Sequence, residues 1–154
     1  MTFAIVKTVN YRKLTEKGAK VEGTVFSGFR YITWKYKVEG RMYEVKLSKS
    51  DYPFIVDGEK YLVYYDIENP SSSIMSFTEP IIEPSVFDTI TSIPMTANYD
   101  KGSELISFSY LHNGDTIERK HRYKFKNKFS ASEQRFPVYI NSTNPKISYI
   151  NFDR

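Results

Sequence analysis

Residues 30–47 read RYITWKYKVEGRMYEVKL, two runs of alternating polarity on either side of Glu39-Gly40. Alternation with a period of two is typical of half-buried antiparallel strands, and the Glu-Gly pair predicts a two-residue turn between them. This turn predicts a set of pairs on one apolar face: Tyr36–Tyr43, Trp34–Val45 and Ile32–Leu47. On the other face Lys35 meets Glu44, and Thr33 meets Lys46. Because a one-residue slip would move every apolar side chain to the wrong face, the pattern predicts one hairpin in one register.

The same pattern occurs a second time in the chain. Five residues recur 74 positions later: Gly28, Tyr36, Gly40, Glu44 and Lys46 match Gly102, Tyr110, Gly114, Glu118 and Lys120. Five more recur 75 positions later: Val63, Tyr64, Asn69, Pro70 and Ser73 match Val138, Tyr139, Asn144, Pro145 and Ser148. One inserted residue reconciles the two offsets. Because the matches are turn glycines, strand aromatics and an Asn-Pro pair, they indicate repeated architecture and no particular chemistry.

The repeat predicts about five short strands in each copy. Opening strands are expected at Val21–Phe26 and Met95–Tyr99, followed by a hairpin in each copy. The remaining predicted strands are Lys60–Asp66 and Ser73–Phe77 in the first copy, and Arg135–Asn141 and Ser148–Phe152 in the second. Short helices are expected at Thr8–Lys17 and Ser85–Thr91. The sequence therefore predicts a mainly β fold of two tandem, small, antiparallel β-barrel-like modules.

The expected domain organisation follows from the same repeat. The first module, with its short helix, covers residues 1–78, and the second, degenerate copy covers residues 95–154. Residues 79–94 are expected to be a linker, because Pro80, Pro84 and Pro94 interrupt regular strand pairing.

The second hairpin contains two polar residues at positions where the first is apolar. Its turn is Asn113-Gly114, and the same register places Phe108 opposite Arg119 and Ile106 opposite His121. One explanation is a bulge that turns both polar side chains outward. The other is a polar pocket at Arg119 and His121 that binds a small anion.

Composition argues against most catalytic chemistry. The net charge is +4, from 22 Lys and Arg against 18 Asp and Glu, and cysteine is absent, so neither disulfides nor thiolate metal sites are available. The two histidines, His112 and His121, are too far apart on the predicted hairpin to share a metal ion. No phosphate loop or nucleophile elbow is present. We therefore expect no enzymatic activity, no catalytic residue, no metal and no cofactor.

The first residues bear on localisation. The apolar run Phe3–Val6 stops at Lys7, which is too short for a signal-peptide core, and no other stretch is long enough to span a bilayer. A cytoplasmic protein without a membrane span is expected.

Residues 119–129, the basic segment, contain six Lys and Arg and no acid. Alternation places one set of cations together: Arg122, Lys124, Lys126 and Lys128. Tyr123, Phe125 and Phe129 fall on the opposite face. Three interpretations stay open: a solvated edge, a surface for an acidic protein, or a site for single-stranded nucleic acid. The last is less favoured, since bases stack on rings that share a face with the cations.

Tyr64 and Tyr139 alternate out of phase with Val63 and Val138, which are expected to face the core. The two tyrosines are therefore expected either at a seam between the copies or on a partner-binding surface.

A set of residues in the first copy carries a family resemblance: Tyr36, Gly40, Tyr43, Gly58, Val63, Tyr65, Asp66, Asn69, Pro70 and Ser73. This pattern resembles domain-of-unknown-function family 3592, a bacterial family with a Tyr-x-Val-x-Gly-x-x-Tyr hairpin and a later Tyr-Asp-x-x-Asn-Pro-x-x-Ser. The resemblance covers residues 17–77 clearly. Residues 95–152 depart from it, because Asn141 replaces the Asp and Ile117 the second Tyr. It implies a small β-domain and no catalytic residues.

These observations favour a non-enzymatic protein-binding module, by analogy an immunity or inhibitor-type protein, with a basic, Tyr-rich surface for an acidic partner. The candidate binding residues are Arg119, His121, Arg122, Lys124, Lys126, Lys128, Tyr64 and Tyr139. Single-stranded nucleic-acid binding through residues 119–128 and an anion pocket near Arg119 and His121 are the alternatives.

Overall fold

The computed structural model describes residues 11–153. The apolar run Phe3–Val6 and the first three residues of the predicted helix Thr8–Lys17 lie outside that range. The chain divides into two compact units. Of the described residues, unit 1 comprises 11–53 and 57–81, and unit 2 comprises 54–56 and 82–153.

Unit 1 is one antiparallel sheet of five strands in the order β3-β2-β1-β4-β5. The strands are β1 (Ala19–Ser27), β2 (Tyr31–Val38), β3 (Arg41–Ser48), β4 (Lys60–Tyr65) and β5 (Ser73–Pro80), with a 3-10 turn at Lys49–Asp51 after β3. Residues 11–17 are helical, as predicted. The helix ends where the Gly18 amide donates to the Leu14 carbonyl, in a space too tight for a Cβ atom.

The β2–β3 hairpin has the register that the sequence predicted. Tyr36 pairs with Tyr43, Trp34 with Val45 and Ile32 with Leu47, and Glu39 and Gly40 both adopt positive φ at the turn. Lys35 lies opposite Glu44, and their charged groups are 3.4 Å apart. Alternate residues of β2 are buried, so burial of one face selects this register.

The buried face of unit 1 packs around aromatic rings. Phe77 of β5 makes edge-on or tilted contacts with Trp34, Tyr52 and Tyr61 at centroid distances of 6.1, 4.7 and 5.4 Å. Large rings supply much apolar area from few residues, which suits a unit of this size.

Unit 2 consists of three antiparallel sheets. The strands are β6 (Phe87–Thr91), β7 (Met95–Tyr99), β8 (Gly102–His112), β9 (Asp115–Phe125), β10 (Phe129–Gln134), β11 (Pro137–Asn141) and β12 (Ser148–Ile150). The sheets are β8-β9, β10-β7 and β12-β11-β6. A single bridge from Ser92 to Tyr110 links the segment after β6 to β8. Their shared core includes Ile106, Phe125 and Val138.

Two features of unit 2 differ from the predictions. The helix expected at Ser85–Thr91 is wrong, because Phe87–Thr91 is a strand paired with β11. This strand lies between two of the prolines expected to prevent pairing, and a proline removes only its own N–H from a ladder. Met95–Tyr99 is a strand, as expected, but it pairs with β10 instead of opening the β8–β9 hairpin.

The fold class is mainly β with several antiparallel sheets, as predicted. The strands of residues 11–153 do not close into a barrel, so the barrel-like part of the prediction is not borne out. In unit 1 the sheet is open, because β3 and β5 at its edges are not bonded to each other.

Candidate binding surfaces

Arg119 and His121 face the interior of unit 2. The β8–β9 ladder runs without a break from Gly102–Phe125 to His112–Asp115, and it pairs Phe108 with Arg119 and Ile106 with His121. Arg119 is 5% exposed and His121 is 1% exposed. The predicted bulge is therefore wrong, because the unbroken ladder keeps both side chains on the core face.

His121 is a neutral side chain in an apolar setting. Its ring contacts Tyr149 edge-on, with centroids 4.9 Å apart. Burial, with a smaller contribution from the Arg119 charge, lowers the pKa of His121 to about 3. Its Nδ1 atom is buried with no hydrogen-bond partner among the described residues. At neutral pH this histidine behaves as a packing residue.

Arg119 is bound by backbone groups. Its Nη1 atom donates to the carbonyl oxygens of Phe54 and Lys120, each at 2.5 Å. The side chain thus helps to fix residues 54–56, which belong to unit 2 although they lie between β3 and β4 in the sequence. Neither Arg119 nor His121 is a solvent-facing group.

The remaining cations of the basic segment face outward. Lys120, Arg122 and Lys124 alternate along the outer side of β9, where both lysines are exposed and Arg122 is half-buried with its guanidinium 5.6 Å from the Phe54 ring centroid. Lys126 and Lys128 are exposed but follow the end of β9 at Phe125, so they lie in the β9–β10 connection. The structure brings together three cations of β9, here called the basic face: Lys120, Arg122 and Lys124.

The rings of the basic segment are part of the core. Phe125 stacks on Tyr99 and Phe129 at centroid distances of 5.1 and 5.5 Å, and Tyr123 contacts Phe152 at 5.1 Å. The predicted separation of cations from rings is confirmed for β9. The basic face carries charge but no ring on which a base could stack.

Tyr64 and Tyr139 lie in different units and make different contacts. The Tyr64 hydroxyl donates to the Glu79 carboxylate, at 3.0 and 2.9 Å from its two oxygens. Burial and this carboxylate raise the pKa of Tyr64 to about 12. The Tyr139 hydroxyl accepts a hydrogen bond from the Asn151 side-chain amide at 3.0 Å.

Unit 1 has a group of exposed rings that was not predicted from the sequence. Phe29 is 94% exposed, Phe26 46% and Tyr31 48%, and all three lie at the β1–β2 connection. Strand alternation contained the signal, because Phe26 follows the buried Val25 and Tyr31 precedes the buried Ile32. The three residues are here called the ring face.

The described part of the chain meets neither the requirements for a metal site nor those for a membrane-spanning helix. Residues 11–153 contain no group of three or more His, Asp or Glu side chains placed to hold a metal ion. No helix among them is long and apolar enough to cross a membrane.

Comparison with known proteins finds no matching family model, no matching curated protein and no matching solved structure.

Proposed function

We propose that this chain is a non-enzymatic protein-binding module that presents the basic face of β9 to an acidic protein partner. The observation that supports this most directly is the composition of that face. Lys120 and Lys124 flank Arg122 on one exposed side of a strand, and among residues 11–153 no ion pair engages any of the three. A row of uncompensated cations attracts an acidic surface over distance and orients it on arrival.

The neighbouring strand favours a protein over nucleic acid at this face. The outer side of β8 carries Leu105 beside Arg122, and Leu111 nearer the turn, and both leucines are exposed. Exposed aliphatic groups beside cations match the mixed chemistry of protein interfaces. Because Tyr123 and Phe125 are turned into the core, a nucleic acid would find phosphate contacts here but no stacking.

We also propose that the two units are related copies of one module. In each unit, a hairpin tyrosine donates its hydroxyl to the proline carbonyl of the Asn-Pro loop: Tyr36 to Pro70, and Tyr110 to Pro145. Matching backbone bonds close both loops, from Ser72 N to Asn69 O and from Ile147 N to Asn144 O, each at 2.9 Å. A tyrosine that ties a hairpin to a distant loop is a specific arrangement, and its recurrence supports a duplication.

In this proposal the opening strand of the second copy is β6. The segment through β6 pairs with β11 and bridges β8, as β1 pairs with β4 and β2. The corresponding pairs are Val21–Val63 with Ile90–Val138, and Gly23–Tyr36 with Ser92–Tyr110. The order β9-β8-β6-β11-β12 then repeats β3-β2-β1-β4-β5, and the β7–β10 ribbon is an addition to the second copy.

We also propose that the chain is related to domain-of-unknown-function family 3592. We further propose that it is located in the cytoplasm. An immunity or inhibitor-type role is consistent with a cofactor-free module that acts by binding.

The test is a matched pair of charge-reversal variants. Lys120→Glu with Lys124→Glu reverses the basic face, whereas Lys17→Glu with Lys146→Glu makes the same change in net charge at exposed positions elsewhere. Tagged wild type and both variants are used to capture partners from cells of the source organism. The captured protein is then purified and its affinity measured at increasing salt concentration.

We expect an acidic protein that binds wild type and the control, binds the basic-face variant at least tenfold more weakly, and loses affinity as salt rises. Equal loss in both double variants, or no protein that distinguishes them, would contradict the proposal.

A further inference from the structure

The ring face of unit 1 combines exposed aromatic rings with cations, whereas the basic face of unit 2 carries cations without exposed rings. Phe26 of β1 and Tyr31 of β2 point to the same side of the sheet, because both alternate with the buried Val25 and Ile32. Phe26 pairs with Thr33, so Tyr31, two residues earlier on β2, is its diagonal neighbour across the two strands. Diagonal neighbours of this kind lie about 7–8 Å apart. Phe29 extends the group into the connecting turn.

Cations lie on the same side as the rings. The Lys46 ammonium is 4.1 Å from the Tyr31 ring centroid, and the Lys35 ammonium is 5.3 Å from that of Phe26. These contacts place a positive charge against two of the three exposed rings. Rings and cations therefore share one solvent-facing surface.

The turn that carries Phe29 is held by hydrogen bonds. The Gly28 amide donates to the Tyr31 carbonyl at 2.9 Å, and the Lys49 ammonium donates to the Gly28 carbonyl at 3.1 Å. The Lys49 amide also donates to the Arg30 carbonyl at 3.0 Å. The turn thus adds Lys49 to the charge of this surface and supports Phe29 without burying it.

Two acidic side chains near the ring face are engaged, one in an ion pair and one in a hydrogen bond with a backbone amide. Glu44 pairs with Lys35 at 3.4 Å, and the Asp57 carboxylate accepts the Ser27 amide at 2.7 Å. In the described part of the chain, no ion pair engages Lys46, Lys49 or Arg30. Lys46 and Lys49 thus carry charge that no ion pair within residues 11–153 offsets, which complements a polyanion.

We infer that the ring face binds single-stranded nucleic acid, with bases stacked on Phe26, Tyr31 and Phe29 and phosphates held by Lys46 and its neighbours. Stacking on exposed rings beside a basic groove is the general means of binding single strands without sequence preference. Protein interfaces also use aromatic rings, and competition by an acidic polypeptide distinguishes that occupant from a single strand. This surface is separate from the basic face, and the inference does not depend on the partner proposed there.

The experiment uses the full chain and a fluorescent oligothymidylate of about 12 nucleotides, within the range of site sizes known for small β-domains. Binding is measured by anisotropy between about 50 mM and about 200 mM salt. If about four phosphates are neutralised, the logarithm of affinity should fall with the logarithm of salt at a slope of about −3.

Two ring variants separate binding from folding. Phe29→Ala removes an almost fully exposed ring that packs on little, and the double variant Phe26→Leu with Tyr31→Leu keeps apolar bulk but removes the planar surfaces. Each lost ring should weaken binding roughly 5-fold to 100-fold. Ile67→Ala, at an exposed position in the β4–β5 connection, is the control and should bind as wild type does.

Three results would overturn the inference. They are no binding of wild type at low salt, equal affinity of the ring variants and wild type, and equally tight binding of a duplex of the same length. If polyglutamate competes as well as the oligonucleotide does, the surface recognises charge alone and an acidic protein becomes its occupant. None of these results bears on the Lys120 and Lys124 variants, so the two proposals fail separately.

Discussion

His121 should make unit 2 lose stability in mild acid, and the size of the loss follows from its burial. Its pKa in the folded protein is about 3, against an ordinary value of 6.5. Between these values the unfolded chain holds a proton that the folded chain does not. Folding stability therefore rises with pH from about 3 to about 6.5 and is fully present above that range.

The magnitude is about 1.4 kcal/mol for each pH unit within this window. At about pH 5, which is about 1.5 units below the ordinary value, the expected loss from His121 is about 2 kcal/mol. The loss from this group reaches its full value of about 5 kcal/mol only below about pH 3, where the folded protein also binds the proton.

The assay is urea unfolding followed by far-ultraviolet circular dichroism at about pH 8 and about pH 5, for wild type and His121→Phe. Phenylalanine keeps a ring against Tyr149 but cannot be protonated. It also removes the buried Nδ1 atom, so the variant should be as stable as wild type or more stable at about pH 8. Because carboxylates titrate in both proteins, the difference between them isolates His121.

Wild type should lose about 2 kcal/mol more than His121→Phe between the two pH values. His112→Phe leaves the buried histidine in place and serves as the control that should keep the wild-type loss. An equal loss in wild type and His121→Phe would refute the reasoning, since His121 would then not be a buried neutral group.

Three further outcomes are expected. Tyr110→Phe removes the hydroxyl that donates to Pro145, leaves a half-buried carbonyl without that donor, and should cost about 1–3 kcal/mol in urea unfolding. Gly18→Ala should cost about 1–3 kcal/mol by overpacking, measured in the same way, because the added Cβ would lie 2.4 Å from the Leu14 carbonyl oxygen. In a spectrophotometric titration, Tyr64 should ionise only near pH 12, so Tyr64→Phe should leave the absorbance change below about pH 11 as in wild type.

Local sequence patterns predicted the hairpins correctly. In both hairpins, the turn residues and the alternation around them gave the pairing of Tyr36 with Tyr43 and of Tyr110 with Ile117. A hairpin is a local structure, in which a two-residue turn sets the register and each strand carries the alternation that the register must satisfy.

The position of β6 was not accessible in the same way. Ile90 pairs with Val138, 48 residues later, and the segment around Ile90 resembles a helix or a proline-rich linker when read alone. A long-range pairing has no local signature, because the partner strand supplies both the hydrogen bonds and the packing.

The candidate site was predicted in part. The separation of cations from rings along β9 followed from strand alternation, and the structure agrees for Lys124 and Phe125. The same rule, applied strictly, places His121 inward, but the usual preference of polar side chains for water argued for a bulge. The ring face was missed because alternation places Phe26 and Tyr31 opposite the core face of their strands but does not show whether another element covers them.

By itself, the sequence determined the mainly β class, the two hairpins and their registers, because each depends on residues close together in the chain. Only the tertiary structure decided that Arg119 and His121 are buried, that Phe26, Phe29 and Tyr31 are exposed together, and that Met95–Tyr99 pairs with β10. The physical reason is that burial and exposure are properties of both sides of a contact, and the second side is contributed by residues far away in the sequence.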